Sequence, residues 1–339
     1  MLTALENTTY LPENFSDRAA TLADINSCVD LLNTCALDQI GVAEFTAIDL
    51  QNEWQTPDFS LEHSTRLVFS ETEKLVGYIE VWDLAPVPVN IWVWARVHPD
   101  YEGLGIGSYL MTWAEKRARQ AIVRAPEQAQ VVMRVGTLST HQPSQQLFLE
   151  RGMTLKRHFW RMTATLAEKP AAPRWPDGIG LKTFADMPDL MPVLETVDAS
   201  FQDHFGHVDQ PIEEELKRWQ HWIKNDPKFD PALWFLALKD GEIVAVCLCA
   251  PEADDDPEMG FVNTLGVKRP FRRQGLALAL LHHSFNIFYQ MGKKRVGLGV
   301  DADSLTGAPR LYEKAGMTVS RQFDAYELEL RSGINLARE

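Results

Sequence analysis

The sequence predicts a mixed α/β (α+β) protein of two similar domains in tandem, each with a central, mostly antiparallel sheet flanked by helices. Three observations lead to this prediction: a length of 339 residues, two sequence motifs that each occur twice in the same order, and apolar strands that alternate with amphipathic helices. Domains hold roughly 100–200 residues each, so this chain has room for two.

The two repeated motifs lie at nearly the same offset. The first is an apolar strand, a proline-containing turn, a glycine loop and a long helix, and its loop glycines, Gly105 and Gly275, are 170 positions apart. The second runs from a leucine and an aromatic residue to Gly-Met, and its glycines, Gly152 and Gly316, are 164 positions apart. Loop-length variation between copies of one domain accounts for so small a difference. We therefore interpret the chain as a duplication.

A short segment, residues 169–178, separates the copies. It is rich in proline and small residues and has neither helix nor strand periodicity, as expected of a linker. The predicted domains are therefore residues 1–168 and 179–339.

The order of elements is clearest in the second copy. The apolar spacing predicts a strand at 181–184, helices at 187–201 and 212–223, strands at 233–238, 243–249 and 261–267, a helix at 276–291, a strand at 295–300 and a short helix at 308–315. Pro211 suits the first turn of its helix, and Asp240-Gly241 is a strong hairpin signal. In the first copy, residues 66–69 and 75–82 form the comparable hairpin.

Composition narrows the class of function. The formal net charge of −14 argues against a nucleic-acid binder and favours a cationic small substrate. No apolar run reaches the roughly 18–20 residues of a membrane-spanning helix, and the N-terminus lacks the basic region of a signal peptide. The four cysteines match no zinc or redox motif, so we expect free thiols, no metal and a cytoplasmic protein. We further expect a monomer or a homodimer.

The loop before the helix at 276–291 is predicted to bind a pyrophosphate. A helix N-terminus offers unpaired N–H groups and a partial positive charge, and small residues such as Gly275 and Ala277 allow close approach. Four cations lie within six residues of this otherwise acidic chain: Lys268, Arg269, Arg272 and Arg273. A plain surface turn is the alternative, but it leaves the repeat unexplained.

A dinucleotide-binding loop is a second alternative, since Gly103-Leu-Gly-Ile-Gly107 has several glycines. The third glycine falls one position early for Gly-x-Gly-x-x-Gly, and the loop follows a mid-domain strand instead of the first strand of a βαβ unit. We reject that interpretation.

The segment Arg272-Arg-Gln-Gly-Leu-Ala277 resembles the acetyl-CoA pyrophosphate loop of the GNAT superfamily of N-acetyltransferases. Residues 301–317 are similar to the closing motif of that family, with Ser304 where asparagine is usual and Met317 where phenylalanine is commoner. The resemblance covers both copies. The tandem arrangement, together with Asp203-His-Phe-Gly-His207, is similar to that of two-domain acetyltransferases of the mycothiol synthase type.

This resemblance implies two tandem GNAT folds and acetyl-CoA as co-substrate, with transfer to the primary amine of a small molecule by direct attack on the thioester. The cofactor contacts that it implies are Leu265, Val267, Arg272, Arg273, Gln274, Gly275, Leu276, Ala277 and Ser304 in the second copy and Gly103, Gly105 and Gly107 in the first. The alternatives are a non-catalytic acyl-CoA-binding or sensing protein and a protein N-acetyltransferase.

Tyr312 occupies the position of the family tyrosine that protonates the departing thiolate. Its phenol, with an ordinary pKa of about 10, is protonated at neutral pH; a core tyrosine is the alternative interpretation. The first copy has Phe148 at the matching position and Glu102 where the loop expects arginine or glutamine. We therefore predict that the first copy is catalytically silent, and that it either binds acetyl-CoA structurally or only shapes the substrate cleft.

The strand at 261–267 is expected to part from its neighbour to receive the acetyl-pantetheine arm. The N–H of Val267 is the candidate to polarise the thioester carbonyl, with Leu265 beside it. Gly297 and Gly299 leave one face of the next strand without side chains, either for the cofactor or for packing.

The general base stays open among four residues. Asp203 and Glu258 are candidates for proton transfer, and His204 and His207 are candidates for contacts with the substrate as well. Solvated loop residues and proton loss through water are the alternatives. Three tryptophans are predicted to line the acceptor pocket or to fill the core: Trp219, Trp222 and Trp234.

Overall fold

The computed structural model describes residues 10–338, and the chain folds into two compact units. Unit 1 comprises the residues up to Lys156 together with Asp324–Leu336. Unit 2 comprises Arg157–Phe323 together with the residues from Ala337 on. Each unit has its own strands and its own buried core, as a duplicated domain requires.

In the first part of the chain the elements are β1 Ser16–Arg18, α1 Ile25–Ile40, α2 Ala47–Trp54, α3 Leu61–Ser64, β2 Thr65–Phe69, β3 Leu75–Trp82, β4 Asn90–Val97, α4 Ile106–Ala121, β5 Val131–Leu138, α5 Gln142–Glu150 and β6 Thr154–Thr165. In the second part they are β7 Ile179–Thr183, α6 Leu190–Phe201, α7 Ile212–Asn225, β8 Trp234–Lys239, β9 Glu242–Ala250, β10 Met259–Val267, α8 Leu276–Gln290, β11 Arg295–Asp301, α9 Ala308–Lys314 and β12 Thr318–Arg331.

The two units share one strand arrangement. The order is β1-β2-β3-β4-β5-β12 in unit 1 and β6-β11-β10-β9-β8-β7 in unit 2. Most neighbours are antiparallel, and each unit contains a parallel pair, β4–β5 and β10–β11. Asn90 pairs with Val132 in unit 1, and Gly260 pairs with Val296 in unit 2. Asn90 and Gly260 are 170 positions apart, and Val132 and Val296 are 164 positions apart; these are the same offsets that separate the sequence motifs. The two copies therefore pair their parallel strands in the same register.

The last strand of each copy lies in the other unit. β6 follows the first copy in sequence, but from Arg157 it belongs to unit 2, where Thr165 to Phe159 pair antiparallel with β11. β12 follows the second copy, but from Asp324 it belongs to unit 1, where Glu327 accepts a 3.0 Å hydrogen bond from Arg134 of β5. The division into residues 1–168 and 179–339 follows the repeat, whereas the compact units exchange these strands. Nothing in the apolar spacing of a strand tells which sheet supplies its partner.

Local signals predicted several elements closely. The hairpin between β8 and β9 turns at Asp240 and Gly241, whose φ angles of +52° and +87° are those of a primed turn. β3 has the predicted bounds, and residues 166–178 contain neither helix nor strand. The predicted hairpin and the irregular segment are therefore confirmed.

The core of unit 2 lies between β8–β11 and helix α8 and includes Tyr312 and Cys247. All four cysteines are buried free thiols, as predicted. Trp219 and Trp234 pack against each other at 5.7 Å within a second cluster under α6 and α7, whereas Trp222 is exposed. Packing therefore accounts for the first two tryptophans.

Candidate active site

The centre of unit 2 is a cleft between two strands that begin as a parallel pair and then part. β10 and β11 pair over four positions, the last being Val262 with Leu298, although the strands continue to Val267 and Asp301. A bulge between Val262 and Thr264 shifts the register of β10 against β9 at the point of parting. The structure thus confirms the parting of this strand from its neighbour.

Two backbone donors of β10 point into the cleft. Successive residues of a strand direct their N–H groups to opposite sides. The N–H of Lys268 donates to the carbonyl of Val244 on β9 at 3.0 Å, so the N–H of Val267 points away from β9 and towards the cleft. Leu265, two residues earlier, has the same orientation. A carbonyl oxygen bound in the cleft would therefore find donors where the sequence predicts them.

The start of α8 closes the same end of the cleft. Gly275 caps the helix with φ +91°, and Arg273 before it has φ +61°, so the loop makes a left-handed turn directly before the helix. A Cβ built on Gly275 would meet no atom within 4 Å. The first N–H groups of the helix, at Leu276 and Ala277, have no intrahelical acceptor. This end therefore offers unpaired donors in open space, as an anion site requires.

The two glycines of β11 serve different purposes. A Cβ on Gly297 would meet the Met259 sulfur at 2.5 Å and the Phe261 ring at 3.2 Å, so this glycine is needed for packing. A Cβ on Gly299 would meet nothing within 4 Å. Gly299 lies just beyond the last paired position, and the space that its Cβ would occupy is open.

The charges of the phosphate loop differ from the expectation. Lys268 is paired with Glu242 at 2.7 Å, and Arg269 and Arg272 are both paired with Asp203. Arg273 is the loop cation without such a partner among the described residues. Two carboxylates, Glu242 and Asp203, therefore neutralise part of the predicted basic cluster.

Arg272 has a positioning function in this structure. Its guanidinium donates to the carbonyl of Val267 and to that of Ser200, each at 3.0 Å, and to Asp203 at 2.7 Å. The side chain therefore connects the phosphate loop to the end of β10 and to the last turn of α6. Gln274, another predicted cofactor contact, donates to the carbonyl of Pro270 at 3.0 Å and closes the loop on itself.

Tyr312 lies on α9 beside the cleft, with 7% of its surface exposed. It packs in the cluster against which Leu265 and Val267 also pack. Burial, and next the nearby Cys247 thiol, raise the pKa of the phenol well above its usual value. Within residues 10–338 its hydroxyl makes no hydrogen bond, and the raised pKa keeps the phenol protonated at neutral pH. Ser304 lies in the turn before α9, where its hydroxyl is 2.9 Å from that of Thr306.

Unit 1 keeps the backbone of this site and changes its side chains. β4 and β5 also part after four pairs, and Gly103 and Gly105 have φ +76° and +84° with open space around them. Gly107 differs, because a Cβ there would meet Leu147 at 3.1 Å. The glycine therefore allows packing of the helix.

Two side chains set unit 1 apart. Glu102 forms a 3.1 Å pair with His141 at the start of α5. This pair holds the glycine loop of unit 1 at the position where Arg272 connects the loop of unit 2 to its neighbours. Phe148 is buried at the position of Tyr312 and packs on Tyr326, with ring centroids 5.4 Å apart. Acyl-CoA binding by unit 1 stays a prediction.

In the structure, each of the two carboxylate candidates for the general base is paired with arginine. Asp203 is paired with Arg269 and Arg272, which lower the pKa of its carboxyl to about 2. Glu258 precedes β10 and pairs with Arg295 at 3.3 Å. Seven residues of strand, about 23 Å at 3.3 Å per residue, separate it from Leu265. Both carboxylates are held by arginines in this structure, and the assignment of either one as the base stays a prediction.

The segment between α6 and α7, residues 202–211, is called the acceptor loop below. His204 lies half-buried in it, with its ring 4.3 Å from that of Phe201. The ring of His207 has partners of its own, because its Nε2 is 3.3 Å from Asp209 and 3.9 Å from Asp198. Of the two predicted substrate contacts, His204 is thus the one without a hydrogen-bonded partner for its ring among the described residues.

Sequence reasoning missed two anchors of the acceptor loop. The guanidinium of Arg157 lies 4.4 Å from the centre of the Phe205 ring, and the Arg338 backbone accepts from Gly206 at 2.8 Å and donates to His207 at 3.0 Å. Arg157 and Arg338 are remote in sequence and carry no local signal of these contacts. The aromatic residue within Asp203-His-Phe-Gly-His207 was the one available signal.

Two further findings concern metal ligands and membrane spans. Among residues 10–338, no three His, Cys, Asp or Glu side chains are grouped so as to hold a metal ion. Nor does any helix in that range combine the length and the apolarity needed to cross a bilayer.

Known proteins match this arrangement in both halves. The acetyltransferase (GNAT) family model matches residues 25–153 and again residues 194–317. A mycothiol acetyltransferase of Thermobispora bispora is 31% identical over 225 residues, which are 66% of this chain and 70% of the relative. The crystal structure of a GCN5-related N-acetyltransferase from Sphaerobacter thermophilus is 32% identical with a TM-score of 0.78, and the match covers 96% of this chain and 99% of that chain.

A tandem GNAT protein from the clavulanic acid biosynthesis pathway shares the fold at 14% identity, with a TM-score of 0.66 over 94% of this chain and 100% of that chain. The matches fall on both copies of the repeat, and each copy has the parted strands and the left-handed glycine before a helix. The chain belongs to the acetyltransferase (GNAT) family and is an acetyltransferase with two GNAT domains in tandem.

Proposed function

We propose that unit 2 transfers the acetyl group of acetyl-CoA to the primary amine of a small molecule. The observation that carries the proposal is the cleft between β10 and β11, which combines a bare helix start at Gly275, two backbone donors and the phenol of Tyr312. The overall charge of −14 favours a cationic acceptor. An amino sugar, an amino acid and a cysteinyl conjugate are the acceptor classes that fit.

The residues of the cleft fit the donor in three respects. The N–H groups at Leu276 and Ala277 are unpaired in the helix and would hold the diphosphate. The open position beside Gly299 would let the pantetheine arm pass close to the backbone of β11. The N–H of Val267 would donate to the thioester oxygen, where negative charge develops during attack.

The reaction has simple requirements. A C–N bond forms at the acyl carbon as the C–S bond breaks, and the sulfur takes a proton. The Tyr312 hydroxyl supplies that proton, because burial keeps the phenol protonated and no other group of the described chain holds it in a hydrogen bond. The donors on β10 are fixed before the reaction, since they belong to the sheet.

Unit 1 is proposed to be catalytically silent. Phe148 has no proton to give, and Glu102 places a carboxylate on the loop that would face the diphosphate. In the cell we propose a cytoplasmic monomer or homodimer that binds neither nucleic acid nor membrane.

The function is tested with a panel of amines and acetyl-CoA, with release of the free thiol as readout. The panel contains glucosamine, free amino acids, a cysteinyl amide and a lysine-containing peptide. Acetylation of one of the small amines supports the proposal. Binding of acetyl-CoA without thiol release from any amine would instead indicate an acyl-CoA-binding protein, and activity on the peptide alone would indicate a protein acetyltransferase.

A further inference from the structure

We propose that His204 is the general base of unit 2 and accepts a proton from the attacking amine. This inference depends on the amine acetylation proposed above and adds the proton acceptor that the reaction needs. Three observations carry it: a loop fixed on both sides of His204, an imidazole that makes no hydrogen bond to the described residues 10–338, and a ring that lies one aromatic side chain away from the backbone of β10.

The acceptor loop is anchored at each neighbour of His204. On the N-terminal side, Asp203 is held by Arg272 at 2.7 Å. On the C-terminal side, the Phe205 ring stacks under the guanidinium of Arg157 at 4.4 Å. The next two residues bond the backbone of residue 338. A loop held at this many points keeps the one ring between the anchors in a fixed place, as a catalytic group requires.

The imidazole itself is not used in holding the loop. The backbone of His204 is bonded, with its N–H donating to Phe201 at 2.9 Å and its carbonyl accepting from His207 at 3.1 Å. Its ring nitrogens make no hydrogen bond within residues 10–338. A half-buried imidazole on a fixed backbone, with both nitrogens available, is suited to take a proton from a bound ligand.

The ring of His204 contacts Phe201, which in turn packs on the backbone of β10. Its centroid lies 4.3 Å from that of Phe201, and an edge atom of Phe201 would be 3.3 Å from a Cβ on Gly266. Gly266 lies between Leu265 and Val267, whose N–H groups point into the cleft. His204 therefore lies on the α6 face of β10, whereas Tyr312 packs on the core with α8. An amine entering from the acceptor loop would meet His204 on one face and the phenol from the other.

The charges around the ring suit a base. Burial lowers the pKa of His204 most, and Arg272 and His207 lower it further. Asp301, at the end of β11, and Asp203 raise it. The balance leaves the imidazole neutral at pH 7, and the same two carboxylates stabilise the imidazolium once a proton has been taken.

The protons balance as follows. The amine nitrogen bonds to the acyl carbon and loses one N–H proton to His204. The C–S bond breaks, and the sulfur takes the hydroxyl proton of Tyr312. The imidazolium then returns one proton to solvent, and the phenolate takes one back. The net products are the acetylated amine and free CoA, with both side chains restored.

The test compares His204→Gln with wild type over pH 5–9 and uses the best amine of the panel. We expect kcat/KM at pH 7.5 to fall about 100-fold or more, with little change in KM for acetyl-CoA or in Tm. The wild-type profile should lose activity on the acidic side, with an inflection below about 6.5, the ordinary pKa of histidine. The variant should lack that limb. The amine ionises equally in both assays, so a limb seen only in wild type belongs to His204.

Two further variants separate catalysis from loop structure. His207→Gln removes the neighbouring imidazole from the same loop and should keep the acidic limb. His204→Ala should regain activity when imidazole is added to the assay, which a purely structural role would not allow. An unchanged rate and pH profile in His204→Gln, with wild type active, would overturn the base assignment and leave the proposed function intact. If wild type acetylates no amine, the proposed function itself fails.

Discussion

The carboxylate of Asp203 lies 2.7 Å from the guanidinium of Arg272 and connects the acceptor loop to the loop that precedes α8. Since Arg272 also donates to the carbonyl of Val267, the same guanidinium reaches the strand with the two backbone donors. The geometry of the proposed amine site is thereby coupled to that of the proposed diphosphate site.

Asp203→Asn should therefore weaken the acceptor side more than the donor side. The amide removes the charge that holds Arg269 and Arg272, while the two freed cations stay near the diphosphate. We expect KM for the amine to rise several-fold and the Kd for acetyl-CoA not to rise, as measured by steady-state kinetics and calorimetry. A weaker acetyl-CoA complex with an unchanged amine KM would contradict this coupling.

Tyr312→Phe should lower kcat about tenfold or more and leave acetyl-CoA affinity unchanged. The variant keeps the packing of the ring in the core and loses only the hydroxyl. Because burial raises the pKa of this phenol, its ionisation should not contribute a basic limb between pH 6 and pH 9. Full activity in the variant would remove the phenol from the mechanism.

Gly275→Ala should disrupt acetyl-CoA binding through the loop backbone. The residue has φ +91°, a conformation that costs a residue with a Cβ about 1–2 kcal/mol. The added methyl group would also project where the diphosphate is proposed to lie. We expect KM for acetyl-CoA to rise about tenfold.

The matched control is Gly292→Ala at the opposite end of α8. Gly292 has φ +80°, and like Gly275 it has no atom within 4 Å of a Cβ. Its substitution should lower Tm by a similar amount and leave KM for acetyl-CoA unchanged. Equal kinetic effects from both variants would show that strain alone is responsible.

Gly299→Leu should fill the open space beside β11, where the pantetheine arm is proposed to pass. No atom lies within 4 Å of a Cβ at this position, so the protein should fold with the larger side chain. We expect the loss of detectable acetyl-CoA binding by calorimetry. Gly180→Leu on the outer strand β7, where a Cβ also meets nothing, is the control and should bind normally. Tight binding by Gly299→Leu would show that the pantetheine arm runs elsewhere.

The stability of the folded protein in acid should depend on the Asp24–Arg18 pair of unit 1. The guanidinium of Arg18 donates one hydrogen bond to each carboxylate oxygen of Asp24, at 2.7 and 2.6 Å. The hydrogen bond from Arg18 is the main reason that the pKa of Asp24 is lowered to about 2. A lowered pKa contributes stability that is complete above the ordinary carboxyl value of about 3.9. That stability is lost as pH falls through about 2.

Calorimetric scans of Asp24→Asn and wild type test this dependence. The variant should have the lower Tm at pH 7, and the difference should shrink as pH falls from about 4 to about 2. A difference that is the same at pH 7 and at pH 2 would show that the pair contributes through its shape and not through its charge.

Features that depend on neighbouring residues were predictable from the sequence. The left-handed start of α8 depends on Gly275, and the β8–β9 turn depends on Asp240-Gly241, so each has a local signal. The duplication was predictable because both motifs keep their order and offset. Together these features locate the cleft and Tyr312.

Contacts between distant residues were not predictable. Asp203 and Arg272 are 69 positions apart in the sequence. The sequence predicts a cofactor contact for Arg272 and a base for Asp203, but its periodicity does not show that the two side chains pair with each other. The exchange of β6 and β12 between the units is of the same kind, since a strand pattern indicates a buried face and does not identify the strand beside it. The bulge after Val262 also lacks a local signal.

The most direct test of the account is a crystal structure of the full chain grown with acetyl-CoA. We predict that the diphosphate lies within hydrogen-bonding distance of the N–H groups of Leu276 and Ala277, that the pantetheine arm passes Gly299, and that the sulfur lies beside the Tyr312 hydroxyl. Acetyl-CoA bound to unit 1 alone, or lying outside the cleft between β10 and β11, would contradict the account.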